Sequence, residues 1–219
     1  MQEVTTSSRC DKANYRMRLF IYSCSTSPDL SGPAIKFILM KCMAETYRDL
    51  VFRTAFRIMC DRPDAESIVE KVFMAAERNA YVYVPLQSEE MENMLIRRTC
   101  QYSRLRIFRR RLGWLLGEHR SVFVRVIPEI ADQDDYTVKQ AWQLYCRACF
   151  KMTPLQIIVY ALSELDCMSV ERTASILGRT TFRVSLALSR AVRAVRNELS
   201  LYGSESQYHA YVAFIRKVH

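Results

Sequence analysis

Glycine and proline are scarce in this sequence. Of its 219 residues, five are glycine and six are proline. Proteins built from β-sheets need many turns, which these two residues commonly form, so their scarcity argues against an all-β fold. Half of the residues are hydrophobic, which is enough to bury a core. We therefore predict an all-α fold.

Long hydrophobic runs are also missing. A membrane-spanning helix needs about 20 mostly apolar residues, and no stretch approaches that length. The apolar run at residues 19–22 is too short for a signal peptide and is followed by polar residues. The eight cysteines are scattered, several on apolar helical stripes, as expected of free thiols in a reducing compartment. We expect a cytoplasmic protein without a membrane span.

The usual signatures of catalytic and metal sites are absent as well. The three histidines, at positions 119, 209 and 219, are isolated, and no glycine-rich phosphate loop exists. Cys146 and Cys149 form a Cys-x-x-Cys pair, but no second pair completes the four ligands of a structural zinc site. We interpret them as core cysteines one helical turn apart, with a metal or redox role as the alternative. We predict no catalytic residue, no metal, no cofactor and no enzymatic activity.

Positive charge is plentiful. The formal net charge is +9, which indicates a polyanionic partner, either nucleic acid or an anionic membrane surface, with simple solubility as the alternative. The charge is concentrated within residues 97–111, where no acidic residue interrupts the arginines. These arginines are Arg97, Arg98, Arg104, Arg106, Arg109, Arg110 and Arg111.

Local signals predict where helices begin. A helical pattern of apolar residues starts from Ala34. Asp61 can cap the next helix, with Pro63 in its first turn, and Ser88 can cap a third. Thr153 begins a capping box that also has proline at the first helical position.

An acidic stretch separates two apolar blocks. Four acidic residues lie between positions 129 and 135, a composition typical of a linker. We therefore predict two small helical domains joined by this acidic linker. The predicted segments are a polar N-terminal tail (1–33), a first block (34–120), the linker (121–140), a second block (141–202) and a C-terminal tail (203–219).

The second block contains a candidate helix-turn-helix. A short helix ends at Gly178, where a tight turn needs a residue that tolerates positive φ. The helix that follows has one apolar stripe and one mostly basic face, as a recognition helix does. An ordinary amphipathic helix with solvated arginines is the alternative. The predicted exposed face comprises Arg183, Leu186, Arg190, Arg193 and Asn197.

The two blocks, in this order, resemble the small two-domain sigma factors of bacterial RNA polymerase, the extracytoplasmic-function group. The first block carries YRDLVFRTAFRIMCDRPDAESIVEKVFMAAERN and MLIRRTCQYSRLRIFRRR. The second carries MTPLQIIVYALSELDCMSVERTASILGRTTFRVSLALSRAVRAVRNEL. The resemblance covers roughly residues 34–202. It rests on the spacing of the apolar residues and on the order of the two blocks rather than on any single motif.

The resemblance implies a function for each block. The first would bind the polymerase clamp and melt promoter DNA; the second would read the upstream promoter element through residues 181–191. The implied partners are core RNA polymerase, promoter DNA and an anti-sigma factor. The implied polymerase-binding residues are Glu66, Ser67, Glu70 and Lys71. The implied DNA-binding residues are Arg97, Arg98, Arg104, Arg106, Arg109, Arg110, Arg179, Thr180, Thr181, Arg183, Arg190 and Arg193.

Four aromatic residues accompany the basic residues of the first block. Tyr81, Tyr83, Tyr102 and Phe108 are candidates to stack on unpaired bases, with ordinary packing as the alternative. At the positions that the family uses to contact DNA and polymerase, this sequence differs from the family pattern, for example at residues 183–187. The alternative function is a sigma-like DNA-binding regulator, or a protein-interaction module, that no longer engages polymerase.

Overall fold

The computed structural model describes residues 32–79, 88–115, 136–202 and 208–217, and within these ranges the regular structure is helical. This confirms the all-α prediction. The helices are α1 (Gly32–Met59), α2 (Arg62–Arg78), α3 (Ser88–Leu115), α4 (Tyr136–Lys151), α5 (Pro154–Tyr160), α6 (Val170–Leu177), α7 (Thr181–Tyr202) and α8 (Tyr208–Lys217). A π-helical turn, Ala161–Leu165, continues α5.

A tight corner joins α1 to α2. The side chain of Asp61 accepts a hydrogen bond from the backbone N–H of Asp64 at 3.1 Å, and proline occupies the first turn, as predicted. Cys60, just before the cap, has a φ of 54°, which is uncommon for a residue with a side chain. Helix α1 begins at Gly32, two residues before the predicted start.

The predicted local signals of the second block are also present. Thr153 and Gln156 form the reciprocal hydrogen bonds of a capping box at the start of α5. Gly178 ends α6 in the left-handed conformation, with φ 60° and ψ 45°. Helix α4, however, begins at Tyr136, so residues 136–140 of the predicted linker are helical. They extend by about one turn the helix that buries Trp142 and Tyr145.

Helices from both predicted blocks share one cluster of buried side chains. The ring of Phe56 on α1 stacks on Trp142 of α4, with centroids 5.0 Å apart and planes at 8°. The Tyr145 hydroxyl donates a 2.7 Å hydrogen bond to the carbonyl of Arg57. A smaller cluster, made by Val159, Ala174, Val184 and Ala187, lies within the second block alone. The blocks are thus packed together here, and the division into two domains remains a prediction.

Residues 208–217 of the predicted C-terminal tail form helix α8. Tyr211, Val212 and Ile215 are buried, and the helix packs on α4 and on the π-helical turn. The Arg216 carbonyl accepts a hydrogen bond from Arg57 at 2.8 Å. The Nε of Arg216 donates a hydrogen bond to the Glu164 carbonyl at 2.7 Å. The physical reason is the apolar stripe of this segment, which joins the core.

Within the described ranges, none of the helices combines the length and the hydrophobicity needed to cross a bilayer.

Candidate nucleic-acid interface

The arginines of α3 fall into two groups, which the sequence did not distinguish. Arg106 and Arg110 form ion pairs with Asp64, with nitrogen–oxygen distances of 2.7 and 2.9 Å. Asp64 is buried, so these two arginines hold α2 against α3. Arg111 donates to the carbonyls of Met152 and Cys149 and so joins α3 to the end of α4. These side chains therefore have structural partners as well as a predicted role in phosphate binding.

The second group consists of exposed arginines. Arg97, Arg104 and Arg109 are exposed on α3, and no hydrogen bond or ion pair engages their side chains in the described part of the chain. Arg98 belongs to neither group, because it is half-buried and donates a 3.4 Å hydrogen bond to Gln101 of the same helix. An arginine with no acidic neighbour keeps its five donors available for an incoming anion.

Arg97 and Arg104 meet an arginine of the second block. Together with Arg179, which follows α6, they line a cleft of about 370 Å³ between α3 and the α5–α6 region. The side chain of Arg97 comes close to Gly178, since a Cβ built on Gly178 would lie 3.2 Å from Arg97 Nη2. Among the described residues that line the cleft, none is acidic. The cleft therefore presents an uncompensated positive charge over an apolar floor.

The floor of this cleft is aliphatic. Leu105 of α3 and Leu155, Ile158, Ile176 and Leu177 of the second block line it. Ile158 and Ile176 are buried, whereas Leu105 is about half exposed. This arrangement can hold an anionic chain at the rim while apolar groups rest on the floor.

Helix α7 presents the exposed basic face that the sequence predicts. Arg183, Arg190 and Arg193 are exposed, and in the described residues their side chains make no ion pair or hydrogen bond. On the opposite side Val184 and Ala191 are fully buried. Ala187 faces the core too, with 6 % of its surface exposed, so it cannot be a contact residue.

The two threonines at the start of α7 differ in role. Thr180 caps the helix, since its hydroxyl accepts the backbone N–H of Arg183 at 3.4 Å. Thr181 is the first helical residue and is exposed. The start of a helix is favourable for phosphate because free N–H groups point outward there.

One exposed residue was missed by the sequence reasoning. Phe182 on α7 is 75 % exposed, and Leu186, four residues later on the same face, is 41 % exposed. Together they form an apolar patch beside Arg183. A phenylalanine in the second position of a candidate recognition helix was the available signal.

A contact between blocks was also missed. Arg172 of α6 donates to Asn93 at 3.0 Å and pairs with Glu92 at 3.3 Å, both on α3. These bonds hold the helix that precedes Gly178 against α3. They help to fix the width of the arginine-lined cleft. Sequence alone gives no pairing between positions 80 residues apart.

The predicted polymerase-binding face lies on α2. Glu66, Glu70 and Lys71 are exposed, and Ser67 is half-buried. Glu66 pairs with Arg62 at 3.0 Å, but both side chains are solvated and the pair contributes little to stability. These residues share one accessible helix face.

The aromatic candidates are distributed unevenly. Phe108 is 61 % exposed on α3, and Tyr102 is half-buried against the core. Tyr81 and Tyr83 lie outside the described residues. Phe108 is thus the aromatic candidate on α3 with the more accessible ring face.

No protein-family model matches the chain, and no curated protein matches it.

Proposed function

We propose that this protein is a sigma-like transcription initiation factor, which binds core RNA polymerase and directs it to promoters. The proposal rests on the resemblance of the two ordered blocks and on the charge of the described surface. It requires no chemistry from the protein itself. Its work is to bind polymerase, hold promoter DNA and stabilise the opened strands.

The observation that carries the proposal is the convergence of Arg97, Arg104 and Arg179 without acidic partners. Unpaired arginines attract phosphate because each contact releases counterions condensed on the nucleic acid. Two of these arginines come from the block expected to melt DNA and one from the block expected to read it. A single DNA backbone following this cleft would contact both.

The face of α7 suits duplex DNA. Arg183 is early in the helix and has the forked donors that pair with guanine in the major groove, so we assign it a base contact. Arg190 and Arg193 are two and three turns further on, where contacts to phosphate are expected. Ser185 and Leu186 add short polar and apolar contacts between them.

The exposed face of α2 supports polymerase binding. Glu66 and Glu70 are one helical turn apart and solvent-exposed, so their charge can be reversed without leaving a buried group unpaired. The same holds for Glu45 and Asp49 on α1, which are also exposed and one turn apart. This second pair provides a control with an identical change in net charge.

A second candidate function is supported by the apolar patch of Phe182 and Leu186. Exposed aromatic side chains are enriched where proteins bind proteins. In this alternative the start of α7 contacts a partner protein rather than a base pair. Leu186→Glu would then abolish a protein complex.

The deciding experiment is transcription in vitro with purified bacterial core polymerase over a library of random promoters. The proposal expects enriched promoter sequences, and it expects Glu66→Lys with Glu70→Lys to weaken polymerase binding while Glu45→Lys with Asp49→Lys does not. Full polymerase affinity in the folded α2 double variant contradicts the proposed docking face. DNA binding without polymerase binding supports a regulator. The absence of both DNA binding and polymerase binding supports the interaction module.

A further inference from the structure

Three thiols meet where the two blocks join. Cys60 occupies the corner between α1 and α2, and Cys146 and Cys149 lie one turn apart on α4. The Sγ of Cys60 donates a hydrogen bond to the Sγ of Cys149 at 3.9 Å, although 89 positions separate them. All three cysteines line a cavity of about 70 Å³, together with Arg110 and Arg111. The cavity is large enough for a water-sized or hydroperoxide-sized molecule.

The geometry suits sulfur–sulfur bonding. A disulfide has a length of about 2.05 Å, so the two sulfurs need to approach by roughly 2 Å. Cys60 has a φ of 54°, a conformation that is strained for a residue with a side chain. It lies in the short connection between α1 and α2, and its N–H donates to the Phe56 carbonyl of α1 at 2.8 Å. Among the described residues, no cluster of three or more ligating side chains could hold a metal ion.

The surroundings of the Cys60 thiol favour its protonated form. Hydrogen bonds to Cys146 and Cys149, together with burial, raise the pKa of the Cys60 thiol well above its usual value. Cys60 thus keeps its proton, and the sulfur of Cys149 accepts the hydrogen bond. Arg111 donates to the Cys149 carbonyl at 3.4 Å, which places a fixed positive charge beside that residue. A thiol that holds its proton is the weaker nucleophile, so the first attack is assigned to Cys149 rather than to Cys60.

We propose that Cys60 and Cys149 form a redox pair, which a hydroperoxide converts into a disulfide joining the α1–α2 corner to α4. The Cys149 sulfur attacks one peroxide oxygen, the O–O bond breaks, and the second oxygen leaves as water or alcohol with the thiol proton. Cys149 is then a sulfenic acid. The Cys60 sulfur attacks it, the S–S bond forms, and the S–O bond breaks. The departing hydroxide takes the Cys60 proton and leaves as water.

The two thiols lose two electrons in this reaction, and one hydroperoxide gains them. The product is a covalent link between the first and second blocks. If the protein acts as proposed above, this link would hold the two blocks in the packed arrangement that forms the cleft of Arg97, Arg104 and Arg179. That consequence rests on the proposed function, whereas the formation of the disulfide does not.

Other cysteines serve as internal comparisons. Burial raises the pKa of Cys100 on α3, so it is expected to stay a thiol. Cys167 is exposed and follows the π-helical turn, so it reports the oxidant that reaches the surface. Cys146 is half-buried in the same cavity and tests whether the pairing is specific.

The experiment treats the folded full chain with hydrogen peroxide, blocks remaining thiols with N-ethylmaleimide and maps peptides without reduction. We expect a peptide pair that joins Cys60 to Cys149, lighter by about 2 Da than the two free peptides and separated by dithiothreitol. Cys146→Ser should retain the link, and Cys149→Ser should lose it. A Cys60–Cys146 link overturns the proposal, as do unlinked Cys60 and Cys149 at a dose that oxidises Cys167.

Promoter-dependent transcription measured before and after peroxide separates the two proposals. If the disulfide forms but neither the reduced nor the oxidised protein transcribes, the redox pair is supported and the proposed function is contradicted. If the reduced protein transcribes but peroxide produces no disulfide, the proposed function is supported and the redox pair is contradicted. The Cys146→Ser variant keeps this test valid if Cys149→Ser does not fold.

Discussion

Arg57 and Asp166 form a buried ion pair although 109 positions separate them in the chain. The Arg57 guanidinium also donates to the carbonyls of Leu165 and Arg216, at 3.0 and 2.8 Å. Burial raises the pKa of Asp166, and the charge of Arg57 partly offsets that effect. Burial likewise lowers the pKa of Arg57. One side chain thus connects α1, the π-helical turn and α8.

Replacing Arg57 with leucine should make stability depend more strongly on pH. Without the guanidinium, the pKa of Asp166 rises further above 3.8, so the folded protein binds a proton that the unfolded chain releases. Its stability is therefore lost as pH rises through the folded pKa. We expect a loss of about 3–5 kcal/mol at neutral pH, which becomes smaller as pH falls towards 4.

Urea unfolding of Arg57→Leu and the wild type at matched pH values provides the measurement. Arg48→Leu is the control, because Arg48 is exposed on the same helix. A destabilisation that is equal at every pH would show that the Arg57 charge does not act on Asp166.

The two groups of arginines on α3 should separate in DNA-binding assays. Arg104→Gln removes an unpaired cation of the cleft, so the affinity for forked DNA should fall. The slope of log affinity against log salt should decrease by about 0.7–0.9. Arg110→Gln removes a partner of buried Asp64 instead, and should lower the free energy of unfolding by about 1–3 kcal/mol. Equal changes in the salt slope for both variants would contradict this division.

On α7, Arg183 and Arg193 should differ in specificity. Arg183→Ala should cost about 1–3 kcal/mol at one base pair and relax the preference there. Arg193→Ala should weaken binding to all sequences by a similar factor, since a phosphate contact carries no sequence information. Binding to a panel of single-base variants of the selected promoter gives the comparison. A uniform loss for Arg183→Ala would make it a phosphate contact.

Gly178→Ala should destabilise the fold because Gly178 has a φ of 60°. An L side chain in the left-handed region costs about 1–2 kcal/mol. The added Cβ would also lie 3.2 Å from Arg97 Nη2, but that end of a flexible side chain can move away. Chemical denaturation should show the loss, with Ser175→Ala, exposed on α6, near the wild type. A variant as stable as the wild type would mean that the turn does not require positive φ.

The local features of the fold could be predicted because their causes are local. Asp61, Thr153 and Gly178 each act through backbone groups within a few residues, and the sequence shows all of those residues. The buried stripe of α7 follows from helical periodicity in the same way. The amphipathic stripe of residues 208–217 was visible in the sequence, but its packing was not predictable because the helices that cover it lie far away in the chain.

The site could be predicted only in part. The arginines of α3 were visible as a run, yet which of them meet an acid depends on the position of Asp64, 42 residues before Arg106. The cleft of Arg97, Arg104 and Arg179 depends on how the blocks pack, which periodicity does not determine. The thiols of Cys60 and Cys149 are close for the same long-range reason.

The hydrogen bonds of Arg57 also set an order of events during protein synthesis. Its acceptor at Arg216 is added 159 residues later. At about 5–20 residues per second, the ribosome needs roughly 8 to 30 seconds to make that stretch. Until then a guanidinium that is buried in the finished protein lacks one of its acceptors. The hydrogen-bond network of Arg57 is therefore completed only after α8 has been synthesised, and α1 must hold this side chain without that acceptor until then.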